Sequence, residues 1–216
     1  MDARAIENDN QFSAPQPQRD QVRITEAGLL LDDNGHLASP GWATELLLTY
    51  DRARIKAPAL RIKEWDYYLV NDDEYAVAFT IGDLGFISLV SASLLSFKSG
   101  TFITQSTMGI LPLGKLALPA SSNEGVTAFS DKRATMSFTV AEGMRHLQVE
   151  FRDFREGEPL VAEIELDRQP RASLVIATPW AENPRAFYYN QKIVGMHAIG
   201  SFTLGELHHE IGRAHV

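Results

Sequence analysis

The sequence predicts an all-β protein, mainly antiparallel, whose strands form a meander that becomes a barrel or a strongly curved sheet. Apolar residues recur at every second position through most of the chain. Glycine, proline and asparagine turns separate these runs at short spacing, and no helical crossover is visible between them. Runs of strands with short connections are typical of antiparallel sandwiches and barrels.

The N-terminal part is the least regular. Residues 1–20 are polar and are predicted to be a disordered lead, because they cannot bury enough apolar surface to become ordered. Gln21–Leu31 is predicted to be a strand, and Asp32–Gly35 the turn after it, since Asn-Gly favours turns. Thr44–Arg54 fits either a short helix or an irregular strand.

The central part, Arg61–Phe97, predicts three consecutive strands. Alternation is clearest in Tyr75–Ile81, where tyrosine, valine, phenylalanine and isoleucine share one face. Thr101–Ile110 is predicted to be a further strand. Pro112–Gly125 contains two prolines, two glycines and two serines, which indicates a loop.

The second half continues the meander. Met136, Phe138 and Val140 are expected to face Leu147, Val149 and Phe151 across a turn at Glu142-Gly143. The remaining predicted strands are Leu160–Leu166, Ser173–Ala177, Phe187–Val194 and His197–Leu204. Residues 21–209 are therefore expected to form a single β-rich domain.

The last residues, 210–216, read EIGRAHV, which is a translation of a common sequencing adapter whose next bases are a stop codon. Such segments are excluded from fold reasoning. We therefore expect a reading frame from environmental DNA whose natural chain continues past His209, so that the fold is incomplete at its C-terminus.

Composition limits the function classes. The chain of 216 residues carries 28 acidic and 20 basic residues, a net charge of −8, which disfavours nucleic acid as a partner. It contains no cysteine, which favours a cytoplasmic location. The longest apolar run, Leu84–Phe97, is shorter than the ~20 residues of a membrane-spanning helix, so no transmembrane segment is expected.

Glu64 and Asp66 are the candidate catalytic residues. They lie two positions apart on a predicted strand, ~6.6 Å along it, and share a face with Tyr68. Inside a cavity, burial and like charge would raise the pKa of at least one carboxyl and make it a general acid. The alternative is that both acids pair with nearby bases such as Lys63.

Aromatic residues supply the candidate ligand-binding set. Rings with polar tips favour cavity mouths, where one end is dry and the other wet. The alternative is ordinary sheet packing, because aromatic residues are favoured in strands. The predicted ligand-binding residues are Trp65, Tyr67, Tyr68, Trp180, Tyr188, Tyr189 and Asn190.

No metal or cofactor is expected. His208 and His209 are adjacent, so on a strand they point to opposite faces and cannot hold one metal ion together. The acidic run Asp72–Glu74 lacks the ligand spacing of a calcium loop. Gly82 and Gly85 join strand to strand, which is not the context of a phosphate-binding loop.

Four segments resemble a bacterial and fungal family, domain of unknown function 2804: Gly35–Gly41 (GHLASPG), Ile55–Pro58 (IKAP), Arg61–Tyr68 (RIKEWDYY) and Phe187–Lys192 (FYYNQK). The resemblance covers most of Thr25–Leu207. The family name carries no activity and so implies no catalytic residue. Family members extend well beyond this chain's end. The resemblance therefore implies that the natural chain has a C-terminal half, absent here, that would contact these residues.

A more distant resemblance is to calycin-type proteins, whose barrels hold one small apolar ligand. They include lipocalins and two-barrel proteins similar to carotenoid hydratases and tocopherol cyclases. This resemblance implies a binder of a lipid-like or isoprenoid molecule. The alternatives are an acid-catalysed hydratase or cyclase, in which Glu64 or Asp66 protonates an alkene, and a purely structural module. Acids inside a cavity without a basic partner favour the enzyme; acids outside or capped by arginine favour the other two.

Overall fold

The computed structural model describes residues 21–215, which form fifteen strands and two short 3-10 helices. The predicted lead, residues 1–20, lies outside the described residues. The strands are β1 (Gly28–Leu29), β2 (Gly41–Ala43), β3 (Leu48–Thr49), β4 (Glu64–Asn71), β5 (Tyr75–Asp83), β6 (Ile87–Ser96), β7 (Thr101–Ile110), β8 (Gly125–Ser130), β9 (Ala134–Ala141), β10 (Met144–Arg155), β11 (Glu158–Asp167), β12 (Leu174–Trp180), β13 (Asn183–Lys192), β14 (His197–Leu204) and β15 (Leu207–His215).

Ten strands form one sheet in the order β7-β6-β5-β4-β15-β14-β11-β10-β9-β8. Every neighbouring pair in it is antiparallel. A smaller antiparallel sheet has the order β13-β12-β2, and β1 pairs with β3 in parallel. Over residues 21–215 none of these sheets closes into a barrel. The predicted all-β, mainly antiparallel fold is confirmed, in the form of a curved meander.

The hairpin of β9 and β10 forms as predicted. Phe138 lies opposite Leu147, and Met136 lies opposite Val149. All four side chains are buried. The turn between the strands has positive φ at both Glu142 (54°) and Gly143 (78°). Positive φ at both central residues matches the right-handed twist of a two-residue hairpin.

The ten-stranded sheet curls so that its two halves cover each other. The ring of Tyr68 on β4 meets the ring of Phe138 on β9 edge to face, with centroids 5.0 Å apart. Nearby, the Thr127 hydroxyl on β8 donates a hydrogen bond of 3.0 Å to Asp66 Oδ2. These strands stand far apart in the strand order. Their contact therefore requires strong curvature, which encloses one apolar core between the halves.

The halves are joined through β15. Along β15 the pairing with β14 is extensive, but β4 is reached by one residue pair, His215 opposite Asn71. The His209 ring nitrogen also lies 2.6 Å from Asp72 Oδ2 at the β4–β5 turn. The expectation that residues 210–216 derive from an adapter stays a prediction.

The N-terminal region differs from the predicted strand at Gln21–Leu31. It forms pieces instead: an isolated bridge from Arg23 to Trp42, the two residues of β1, and a bridge from Leu31 to Leu37. The backbone changes partner every few residues, so no single ladder extends. The predicted turn at Asp32–Gly35 is present, because Asp32 Oδ1 accepts hydrogen bonds from two backbone amides after it.

The conformation of two further segments could not be predicted from the sequence. Thr44–Arg54 becomes the short strand β3 and a 3-10 helix at Arg52–Arg54, whose start is capped by the Asp51 carboxylate accepting from the Ala53 amide. Strand β8 has the sequence GVTAFS, where small residues weaken the alternation, and it was not predicted. No helix within the described part of the chain is long and apolar enough to span a membrane.

A buried carboxylate fixes the connection between β5 and β6. Asp83 is fully buried and accepts hydrogen bonds from the amides of Gly85 (3.0 Å) and Gly114 (2.6 Å). Gly85 has φ +80°, and a Cβ there would lie 2.4 Å from the carbonyl oxygen of Leu60. The absence of a side chain at Gly85 therefore lets the 3-10 helix Ala59–Arg61 approach this turn.

We expect Gly85→Ala to lower the free energy of unfolding by more than Gly143→Ala. Both glycines have φ near +80°, but a Cβ at Gly143 meets nothing within 4 Å. The control therefore pays only the conformational cost of ~1–2 kcal/mol, whereas Gly85→Ala adds a clash with backbone and a total of ~3 kcal/mol or more. Urea unfolding of both variants measures the difference, and equal losses would contradict the close approach.

Candidate functional site

A cleft of about 890 Å³ lies where the start of β4 meets the loop before β8 and the β12–β13 hairpin. The inner face of the curled sheet contributes Phe138 and Thr127, and the hairpin contributes Trp180 and Tyr188. The cleft therefore lies at the junction of the two sheets. Small-molecule sites have volumes of ~300–1,000 Å³ and favour such junctions.

The structure brings together eight of the nine predicted site residues. The lining residues among them are Glu64, Trp65, Asp66, Tyr68, Trp180, Tyr188, Tyr189 and Asn190. Tyr67 does not line the cleft; it lies on the outer face of β4 with 53% of its surface exposed. Its position follows from strand alternation, which turns Tyr67 away from the face that carries Asp66 and Tyr68.

Trp65 reaches the cleft although it shares the outer face with Tyr67. It lies near the start of β4, and its ring stacks against Tyr188 on β13 with centroids 5.9 Å apart and planes 30° apart. The hairpin therefore extends the cleft around the end of β4, so that residues on both faces of this strand contribute.

Asp66 is the acid at the inner end of the cleft. Burial raises the pKa of its carboxyl, and the Thr127 hydrogen bond and the charge of Arg145 oppose this rise without cancelling it. Within residues 21–212 no lysine or arginine forms an ion pair with Asp66. A carboxyl with a raised pKa can hold a proton at a higher pH than an exposed aspartate, and can donate it.

Glu64 is held in a different way. The Tyr50 hydroxyl donates to its Oε1, and Arg52 Nη1 forms an ion pair with its Oε2. Burial is the main reason that the pKa of Tyr50 is raised, and the Glu64 charge raises it further. Both carboxylate oxygens of Glu64 are therefore engaged by protein donors, which makes Glu64 a positioning group for the start of β4.

Arg145 is a buried residue that sequence reasoning missed. It is 2% exposed and donates to Gln169 Oε1 (2.9 Å) and to the Ser122 carbonyl (3.0 Å). Its charge favours the ionised forms of both Asp66 and Tyr68. A signal was present, because Arg145 has the same parity along β10 as the buried Leu147.

Tyr68 and Tyr189 are tyrosines that stay protonated at neutral pH. Burial raises the pKa of Tyr189 to about 12. Its hydroxyl donates a hydrogen bond of 2.8 Å to the Leu48 carbonyl. Burial also raises the pKa of Tyr68, and the nearby Asp66 charge adds to the rise. The Tyr189 hydroxyl therefore acts as a hydrogen-bond donor at neutral pH.

The histidines point to no joint site. His208 contacts Glu210 at 2.6 Å on one face of β15, whereas His209 contacts Asp72 on the other. Among the described residues no group of three histidine, aspartate or glutamate side chains is arranged to hold a metal ion.

We expect Asp66→Asn to stabilise the protein at neutral pH. The folded-state pKa of Asp66 is raised above its ordinary 3.8, so the folded state binds this proton more tightly than the unfolded state does. The free energy of unfolding therefore falls as pH rises from about 4 through the raised pKa, and the asparagine variant escapes this loss.

Thermal unfolding at about pH 4 and about pH 8 measures this effect. The gain in Tm of Asp66→Asn over wild type should be larger at the higher pH, while Asp73→Asn, at an exposed position of the β4–β5 turn, should show no such trend. A gain that is independent of pH would contradict the assignment.

The comparisons with known proteins give a family but no activity. No curated protein and no solved structure matches the chain significantly. One family model, described as a domain of unknown function (DUF2804), matches residues 21–215, which is nearly the whole chain. This confirms the resemblance carried by RIKEWDYY and FYYNQK. The chain therefore belongs to the DUF2804 family.

Proposed function

We propose that this protein binds a small, mainly apolar molecule of the lipid-like or isoprenoid kind in the cleft at the start of β4. The observation that carries the proposal is the combination of an aromatic wall with Asp66 at its inner end, a half-buried carboxyl whose pKa is raised. The aromatic residues that line the cleft are Tyr50, Trp65, Tyr68, Phe138, Trp180, Phe187, Tyr188 and Tyr189.

The wall supports an apolar ligand for a physical reason. Trp180 is 58% exposed and Trp65 is 41% exposed, which leaves large ring surfaces in contact with water. Covering such surface stabilises a complex by ~25 cal/mol per Å² of apolar area removed from water. Rigid aromatic rings also lose little conformational entropy when a ligand binds.

The inner end supports a polar group on that ligand. Asp66 Oδ2 accepts from Thr127, and the same carboxylate has further acceptor capacity towards the cleft. A ligand hydroxyl could donate there, while the apolar body lies against the aromatic wall. An isoprenoid or long-chain alcohol has this chemistry.

The architecture adds support by analogy. A curved antiparallel sheet with a cavity at one end is similar to calycin-type proteins, which hold apolar ligands. The absence of cysteine from the sequence supports a cytoplasmic location as part of the same proposal.

Farnesol is a suitable test ligand, and we expect it to quench tryptophan fluorescence because two of the three tryptophans, Trp65 and Trp180, line the cleft. Tyr188→Ala should weaken farnesol binding by about 5- to 30-fold, which corresponds to ~1–2 kcal/mol for a lost aromatic contact.

Tyr67→Ala is the matched control. Tyr67 lies on the outer face of β4 and does not line the cleft, so this variant removes a tyrosine ring without changing the wall. It should leave the farnesol dissociation constant unchanged. Equal weakening by both variants, or failure of farnesol and dodecanol to bind the folded wild type, would count against the proposal.

A second candidate is acid catalysis at Asp66. Its raised pKa and its lack of an ion pair among the described residues favour it, whereas Glu64 is capped by Arg52. Asp66 would transfer its carboxyl proton to one alkene carbon, forming a C–H bond as the π bond breaks. Aromatic faces would stabilise the resulting carbocation. Water would then add to the cation, and its released proton would return to the carboxylate.

We expect this activity to convert farnesol into a product heavier by one water, detectable by mass spectrometry. Asp66→Asn should remove the product, because its amide cannot serve as the acid, and should retain farnesol binding within about threefold. Glu64→Gln tests the other acid and should retain product formation. Binding without any product from the wild type would favour the non-catalytic function.

A further inference from the structure

The outer face of β4, β5, β6 and β7 is a sixteen-residue surface formed by cross-strand neighbours. We call it the uncharged face. In register its four rows are Trp65–Gly82–Leu89–Met108, Tyr67–Thr80–Ser91–Ser106, Leu69–Ala78–Ser93–Thr104 and Asn71–Ala76–Leu95–Phe102. None of the sixteen residues carries a charge, although charged residues make up 22% of the chain.

The other half of the same sheet provides a direct comparison. On the outer face of β10 and β11, His146 lies opposite Glu165 and Gln148 lies opposite Glu163. Glu150 and Arg152 lie on the same face and interact at 3.1 Å. A solvated sheet face carries such groups. The uncharged face lacks them, so it does not have the composition of a surface that remains in water.

The centre of the uncharged face is a shallow trough between two ridges. The β4 ridge contains Tyr67 and the β7 ridge contains Phe102 and Met108, which are 71% and 65% exposed. Between them, β5 presents glycine, alanine and threonine, while β6 presents serines at the centre of the trough and leucines at its two ends. The hydroxyls of Ser93 and Thr104 lie 2.7 Å apart and satisfy each other. Large exposed apolar side chains on both ridges, with no charge between them, are typical of an interaction site.

Strand β7 adds a second feature of the same kind. It is an edge strand of ten residues, TFITQSTMGI, without a charge or a proline. Edge strands that remain in water usually carry charges or prolines that prevent pairing. Ile110, at its end, is 86% exposed and extends the apolar surface beyond the four rows.

We propose that the uncharged face is a docking surface for the same face of a second copy of this chain. Each chain carries a net charge of −8, so two copies repel each other except through a contact that excludes charge. A two-fold contact between identical faces brings no unpaired charge into the interface, and two-fold dimers are the commonest oligomers.

The dimensions correspond to a small, concentration-dependent dimer contact. Four strands ~4.8 Å apart and four alternate positions ~6.8 Å apart span ~500 Å² in projection. The accessible area of a ridged surface is larger than its projection, and the contact lies at the small end of specific interfaces, below the ~800 Å² per partner of a standard one. The large ridge residues of one copy would lie over the serine and alanine positions at the centre of the other, as in sheets packed face to face.

Sedimentation velocity from about 1 to about 100 µM tests this contact. The wild type should shift from monomer to dimer with increasing concentration. Ser91→Glu places a charge at the centre of the uncharged face and should raise the dimer dissociation constant at least about 30-fold. Ser137→Glu is the control: a half-buried serine on the outer face of β9, opposite Gln148. It should leave the constant unchanged.

If Ser91→Glu fails to fold by circular dichroism, Thr80→Glu with the control Thr139→Glu makes the same comparison. A wild type that stays monomeric over the whole range would overturn the proposal, as would equal effects of the two serine variants. A monomer that floats with phosphatidylcholine vesicles would also overturn it, because the occupant would then be a lipid surface.

Discussion

Curvature of the ten-stranded sheet is the constraint on which the rest of the structure depends. Apolar and polar positions alternate along most of its strands, so most of them have an apolar face that must leave water. The apolar face of each half of the sheet packs against the other half. The contact between the rings of Tyr68 and Phe138 lies where the two halves meet. The enclosed core, the cleft at its end and the burial of Asp66 all follow from this curvature.

The same curvature assigns different chemistry to the two acids of β4. Glu64 lies at the beginning of the strand, where Tyr50 and Arg52 from the preceding segment reach both of its oxygens. Asp66, one step further inside, meets Thr127 from the opposite half of the sheet. Glu64 and Asp66 lie on the same face of β4, yet Glu64 is held by protein donors whereas the pKa of Asp66 is raised. The second is the group around which both candidate functions are built.

The two sides of the sheet lead to two separate proposals. The inner side ends in an aromatic cleft that suits a small apolar molecule. The outer side divides into a charged half over β10 and β11 and an uncharged half over β4 to β7. Since Ser91 is not among the residues that line the cleft, the dimer contact and ligand binding can be tested independently. Trp65 alone among the cleft residues belongs to the four rows of the uncharged face.

Period-two alternation was sufficient for the sequence to predict the strands from β4 to β7 and the β9–β10 hairpin, because their apolar residues lie on the buried face and recur at every second position. It also placed Glu64 and Asp66 on one face. The partners of those acids came from tertiary structure. Arg52 reaches Glu64 from the segment before β4. Thr127 and Arg145 are distant in sequence from Asp66 and approach it only when the sheet curls. Local pattern determines which face a residue occupies, whereas curvature, a property of the whole sheet, determines which residues that face meets.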